Sequence, residues 1–236
     1  MKYLMANWKA NLDLSLFLEL LKNTPEGANF VTVFVPFPVI WPVSKNLPFS
    51  VNLGAQDVSV HESGAHTGEV TAGMLSKLDV GQVLLGHSER RSDQDSMERV
   101  NKKLIQTKKE GLEPVICIGA SQKEVDDSLI DGLISQLPEG IDGLKSLKIA
   151  YEPIFAIGTG QVADKDHIEN VLKKLDLALS NRYPECKISL LYGGSVKPSN
   201  LKSILAIRHC SGVLVGNASL DLESWKELID ICKTFS

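Results

Sequence analysis

The chain is poor in aromatic residues, which make up 6% of it, and it has no long apolar run. A bilayer span needs about 18 or more consecutive apolar residues. No segment of the chain reaches that length. At the N-terminus Lys9, Asp13 and Glu19 interrupt MKYLMANWKANLDLSLFLELL, so no secretory signal and no membrane partner are expected. Cysteine is sparse as well: Cys117, Cys186, Cys210 and Cys232 form no C-x-x-C pair and no metal-ligand spacing. Reduced thiols in a cytoplasmic chain without a metal are the expectation. The sequon Asn217-Ala218-Ser219 then carries little weight. Excess positive charge is also missing: 25 basic against 29 acidic residues leave a net charge of -4. A nucleic-acid partner would call for a basic face. No charged tail, composition break or sequence repeat divides the chain, so a single domain over 1–236 is expected.

What is present is alternation. Short β-rich runs lie at 3–7, 30–35, 50–56, 82–86, 113–119, 147–152, 187–193 and 212–216. Most are apolar on both faces, as parallel strands covered on two sides must be. Amphipathic segments separate them. Leu14, Phe17, Leu18 and Leu21 repeat at helical spacing; so do Ile168, Val171, Leu172, Leu175 and Leu179, with Asp164 as cap and Pro184 past the end. Leu222, Trp225, Leu228, Ile229 and Cys232 form a third stripe. Eight strands alternating with helices give an α/β protein with a parallel sheet. In 236 residues this fits a closed (β/α)8 TIM barrel with outer helices; alternation alone leaves an open doubly wound sheet as the alternative.

Two glycine motifs fail on context. Gly158-Thr159-Gly160-Gln161-Val162-Ala163 matches a dinucleotide turn, but Pro153 to Ile157 separate it from the strand end where such a turn begins. Gly81 to Ser88 resembles a phosphate loop, yet its middle is an apolar strand and its lysine is replaced by His87.

In a barrel, functional residues belong at the strand ends. Unusual polar residues do fall there: Asn7 and Lys9, Gln56, His87, and Glu152. A carboxylate closing an apolar strand, as Glu152 does, is costly unless it is paired or used. The apolar stretch Ile154–Ile157 with Gly158 and Gly160 beyond it suits either a lid over substrate or a packed surface loop. His87 is either catalytic or a satisfied structural imidazole. Ser88 either caps the following helix or hydrogen-bonds Glu152. Glu89, Arg90 and Arg91 read as salt bridges that fix the loop or a subunit contact. Strand alternation puts Asn7 and Lys9 on one face, a donor and a positive charge at the barrel mouth. Gly193-Gly194-Ser195 and Gly216-Asn217 follow the last two strands, where converging backbone N–H groups can hold an anion; otherwise they are tight turns needing glycine for geometry.

Taken together, ANWKAN, GAHTGE (64–69), GHSERR, CIG (117–119), AYEPIFAIGTG, YGGSV (192–196) and LVGNASL (214–220) resemble the triosephosphate isomerase family, in its order and at about its spacing. The resemblance implies an aldose–ketose isomerase of glycolysis and gluconeogenesis. It would interconvert dihydroxyacetone phosphate and D-glyceraldehyde 3-phosphate through an enediol(ate), with no metal and no organic cofactor. It implies Glu152 as base, His87 as the electrophile that polarises the carbonyl, Lys9 as electrostatic anchor and Asn7 as substrate donor. Gly158, Ser195, Gly216 and Asn217 align with the phosphate site. A homodimer is implied, with Thr67 in a loop that braces the partner's site.

Three positions depart from the family pattern. Phe155 stands where the family usually has Trp, Gln161 where the lid usually ends in Lys, and Asn217 where the last turn usually has Gly. Asn tolerates positive φ better than other non-glycine residues, so the backbone donor is expected to survive. Two rival readings are another phosphate-binding barrel isomerase, epimerase or aldolase, for which Lys9 would be the only nearby Schiff-base candidate, and an inactive binding protein of the same fold.

Overall fold

A computed structural model describes residues 2–156 and 163–235. Eight strands, β1 (Tyr3–Asn7), β2 (Val31–Val35), β3 (Asn52–Ala55), β4 (Gln82–Leu85), β5 (Glu113–Ala120), β6 (Ser146–Pro153), β7 (Lys187–Tyr192) and β8 (Gly212–Val215), close into one parallel barrel in sequence order. The register of β8 on β1, Leu4 beside Val213 and Ala6 beside Val215, completes the ring. The open sheet is therefore excluded. Strand positions agree with the sequence reading to within two residues. The glycines expected at the ends of β4, β7 and β8 fall outside because the chain turns at them, at Gly86 with φ of +69°.

Two apolar layers hold the barrel. Inside the ring lie Met5, Phe34, Leu84, Val115, Cys117, Ala150, Leu191 and Leu214, drawn from seven strands. The eighth, β3, contributes Gly54, where a Cβ would sit 2.3 Å from the Phe34 ring, so the missing side chain makes room for a large one. The outer layer lies between strands and helices.

The helices form for the reasons legible in their spacing. In Lys165–Arg182 the expected stripe is buried and the Asp164 side chain accepts the His167 N–H at 2.7 Å. Arg182 ends the helix just before Pro184. In Leu222–Lys233, Trp225, Leu228, Ile229 and Cys232 are buried. Trp225 Nε1 donates to Leu20 O and Thr24 Oγ1, tying the last helix to the first. The first helix, Leu14–Lys22, is rotated from expectation: Phe17, Leu20 and Leu21 are buried and Leu18 only half so. Phe17 stacks on Trp8 at 4.3 Å, which turns that face inward. All four cysteines are free thiols, three of them buried.

Candidate active site

Gly86 turns the chain sharply after β4, and His87 follows as N-cap of the helix Ser88–Asp93. The Glu89 N–H points at His87 Nδ1 at 3.3 Å. A ring nitrogen that accepts carries no proton, so the proton resides on Nε2. Nε2 lies 3.0 Å from Oε1 of Glu152, at the end of β6. The approach is too poorly aligned to count as a hydrogen bond, and Oε1 is left without one. Glu152 Oε2 accepts the backbone N–H of Ser88 at 2.8 Å. Of the two roles expected of Ser88, the hydrogen bond to Glu152 is the one taken, and it is made by the main chain; the His87 ring caps the helix instead.

Both titratable groups are shifted by burial. Desolvation lowers the His87 pKa to about 4, with Glu89 opposing and Lys9 assisting. The same cause raises Glu152 to about 7, moderated by the Ser88 N–H bond. The imidazole is therefore neutral at physiological pH. The carboxyl is poised where it can both accept and return a proton.

Lys9 reaches the site by a different route from the one expected. β1 ends at Asn7, and Lys9 lies beyond it with φ of +49°, in the left-handed region. A turn, not strand alternation, brings the two side chains to one cavity. Two side chains hold this backbone. Asn7 Oδ1 accepts the Lys9 N–H at 3.0 Å, and Gln56 Nε2 donates to Lys9 O at 2.9 Å and to Phe34 O at 3.0 Å. Strained backbone of this kind persists only where neighbours over-determine it. The Lys9 ammonium pairs with Glu89. Glu89 thus makes an ion pair, as expected, with a partner that lines the cavity. Arg90 pairs with Asp57 at 2.9 Å; Arg91 instead donates to the carbonyls of Gly86, Cys117 and Gln136.

Asn7, Lys9, His87 and Glu152 line a cavity of about 240 Å³ whose wall is completed by Gly193-Gly194-Ser195 and Gly216-Asn217. The glycines permit close approach. A Cβ at Gly193 would lie 3.2 Å from Glu152 Cγ, and one at Gly216 would lie 3.3 Å from Lys9 Cε. Ser195 Oγ donates to Ala156 O at 2.7 Å, joining this wall to the turn after β6. Asn217 opens the single turn Asn217–Leu220. The non-glycine residues with positive φ among those described are Lys9 and Asp79, so Asn217 needs no left-handed tolerance there.

Asn7, Lys9, His87, Glu152, Ser195, Gly216 and Asn217 are therefore brought together. Gly158 and Gln161 lie outside the described residues. Thr67 sits away from this cavity, in a stretch exposed throughout 61–69. A second cavity of about 390 Å³ backs onto Asn7, Lys9 and His87, walled by Pro36, Phe37, Gln56 and Asp57. Gln56 was visible in the sequence as a polar strand end, but nothing there assigned it to the Lys9 backbone. Glu89 was hidden inside a charge cluster.

A family model described as Triosephosphate isomerase matches residues 2–233. Proteins named triosephosphate isomerase from Carboxydothermus hydrogenoformans and Thermus thermophilus are 35% and 37% identical to the chain, with 96% and 95% of it and 97% and 96% of those proteins covered. A crystal structure of triosephosphate isomerase from Bartonella henselae matches with a TM-score of 0.84 at 30% identity, covering 98% of this chain and 99% of that one.

Proposed function

The chain belongs to the triosephosphate isomerase family and is an aldose–ketose isomerase; from that premise we propose how its own side chains carry the reaction. The substrates are dihydroxyacetone phosphate and D-glyceraldehyde 3-phosphate. Glu152 takes the proton from the carbon beside the carbonyl. The C–H electron pair becomes the carbon–carbon double bond, and charge moves to the carbonyl oxygen. His87 Nε2–H donates to that oxygen, and Lys9 supplies a positive charge nearby. Glu152 then returns the proton to the neighbouring carbon. The observation that carries this assignment is the 3.0 Å separation of His87 Nε2 and Glu152 Oε1 across one cavity.

The energetics favour this division of labour. A carbon acid of this kind is far too weak for a carboxylate in water. Burial strengthens the base, and a preorganised donor to the developing oxyanion is worth about 3–4 kcal/mol. A placed general base adds about 10²–10⁴ in rate. The neutral imidazole suits this task because its N–H donates without giving up its proton. Ser195, Gly216 and Asn217, which line the cavity, hold the phosphate together with Gly158. Closure of the segment after Pro153 over that phosphate would exclude water and suppress its elimination from the enediolate. Nothing favours the aldolase reading, since Lys9 is ion-paired with Glu89 and does not stand in an apolar pocket.

The functional unit in this reading is a cytoplasmic homodimer. The exposed Thr67 loop of one protomer enters the second cavity of its partner, behind Asn7 and Lys9. Among the described residues no helix is long and apolar enough to cross a membrane.

The deciving measurement couples glyceraldehyde 3-phosphate formation to a dehydrogenase. Glu152→Gln is expected to cost at least about 10²–10⁴ in kcat; full turnover by that variant refutes the assigned base. Sedimentation at working concentration tests the dimer, and a fully active monomer would count against it.

A further inference from the structure

His167 is a buried titratable side chain with no part in the chemistry above, yet it touches three segments around the base. It lies in the first turn of the helix Lys165–Arg182. Its Nε2 is 2.8 Å from the Tyr151 hydroxyl, and Tyr151 immediately precedes Glu152 on β6. Its Nδ1 is 3.0 Å from Lys123 O, in the segment between β5 and the helix Asp127–Ile134. Its ring meets Phe155 edge-on, with centroids 5.4 Å apart at 87°.

A carbonyl oxygen can only accept, so Nδ1 carries a proton. The same tautomer leaves Nε2 free to accept from the Tyr151 hydroxyl. One orientation of one ring thus satisfies both contacts, with its edges fixed by partners on separate segments. Phe155 belongs to the short turn Ile154–Ala156, and the carbonyl of Ala156 receives the Ser195 hydroxyl at 2.7 Å. A connected path runs from the base through Tyr151, His167, Phe155 and Ala156 to Ser195 in the cavity wall.

We propose that His167 is a positioning residue that holds the turn after Pro153 in register with Ser195, and so supports the anion site that Ser195 lines beside Glu152. The proposal rests on the reading of Glu152 as base and Ser195 as phosphate ligand. Its effect is exerted on substrate and phosphate binding more than on turnover. Leucine fills similar space but makes neither polar contact. Glutamine can both donate and accept.

The test compares His167→Leu, His167→Gln and Tyr151→Phe in the full-length protein, reading kcat, KM and the inhibition constant of inorganic phosphate, with melting temperature as the folding control. Loss of a buried hydrogen-bonded pair on this path is expected to raise KM for glyceraldehyde 3-phosphate about tenfold in His167→Leu, with kcat within about threefold. The phosphate inhibition constant should rise in parallel. His167→Gln is expected to stay within about twofold of wild type. If His167→Leu does not fold, Tyr151→Phe decides, with an expected rise of about threefold in both constants. A folded His167→Leu, or otherwise Tyr151→Phe, with unchanged KM and phosphate inhibition overturns the proposal. So does a His167→Gln as impaired as the leucine variant. Failure of the underlying reading shows separately, as an active Glu152→Gln or as a Ser195→Ala whose phosphate inhibition is unaltered.

Discussion

The backbone N–H of Ser88 is aimed at Oε2 of Glu152 from 2.8 Å, while Oε1, beside His87 Nε2, has no hydrogen bond. One oxygen is tethered and the other is available. The tether fixes the carboxyl group without consuming the atom that would take a proton. It comes from main chain one residue past the imidazole, so base and electrophile are registered to each other through a single hydrogen bond.

Burial of Glu152 makes a prediction in which stability and activity move in opposite directions. Its pKa in the folded protein is raised to about 7 from 4.5. The folded state thus holds this proton more tightly than the unfolded one, and the penalty grows as pH rises from about 4.5 to about 7. Above pH 7, Glu152→Gln should be more stable than wild type by up to about 3 kcal/mol while losing activity. At pH 4 the difference should vanish. Denaturant titration at pH 4 and pH 8 measures both, and an equal difference at the two would show that the carboxyl is not desolvated in this way.

Activity should fall as pH drops through about 7, because the base must be ionised. His87, lowered to about 4, stays neutral across that interval and adds no second limb there. Substrate phosphate titrates near 6, so the enzyme's limb is identified by its displacement in Glu152→Asp. A profile identical in the two proteins would assign the limb to substrate alone.

A dianionic substrate meets a protein of net charge -4, so the attraction has to be local to Lys9 and the backbone donors of the cavity. Attraction of that origin is screened by salt. kcat/KM should decline as ionic strength rises from about 10 to 200 mM. A flat dependence would mean that the cavity field does not guide binding.

Gln56→Leu removes the donor to Lys9 O at similar volume. The left-handed Lys9 backbone is then held from one side only. Losing a clamp on strained backbone is expected to cost about 1–3 kcal/mol, felt as a decrease of about tenfold or more in kcat/KM with the ammonium displaced. Unaltered kinetics would show that Asn7 alone suffices.

Gly194→Ala places a methyl 2.3 Å from the Tyr192 hydroxyl and 2.9 Å from Pro153 Cγ. Overpacking of this type costs about 1–3 kcal/mol, and at this chain length each kcal/mol lowers Tm by about 2–4 °C. Calorimetry should register the drop together with a raised phosphate inhibition constant.

How far the sequence carried this depended on the range of each contact. Strand positions were legible because Val, Ile and Leu runs bounded by turns signal locally, and Glu152 and His87 stood out as polar groups closing apolar strands. The closure of β8 on β1 was not decidable from alternation, since the pairing joins residues some two hundred positions apart. The Leu18 misreading arose because helical spacing defines a stripe but not its rotation; the stack of Trp8 on Phe17 does that. Gln56 and His167 act on backbone and on ring edges far along the chain, and no local pattern encodes such partners. Lys9 was placed correctly for the wrong reason, its left-handed φ being invisible in a residue that seldom adopts one.

Because β1, β4, β6, β7 and β8 each contribute a wall of the same small cavity, no contiguous fragment of the polypeptide contains the pocket. The first and last strands must meet before Lys9 faces Gly216. Turnover therefore cannot return during refolding before the ring has joined, and an assembly intermediate with most of its helices already formed would still be catalytically silent.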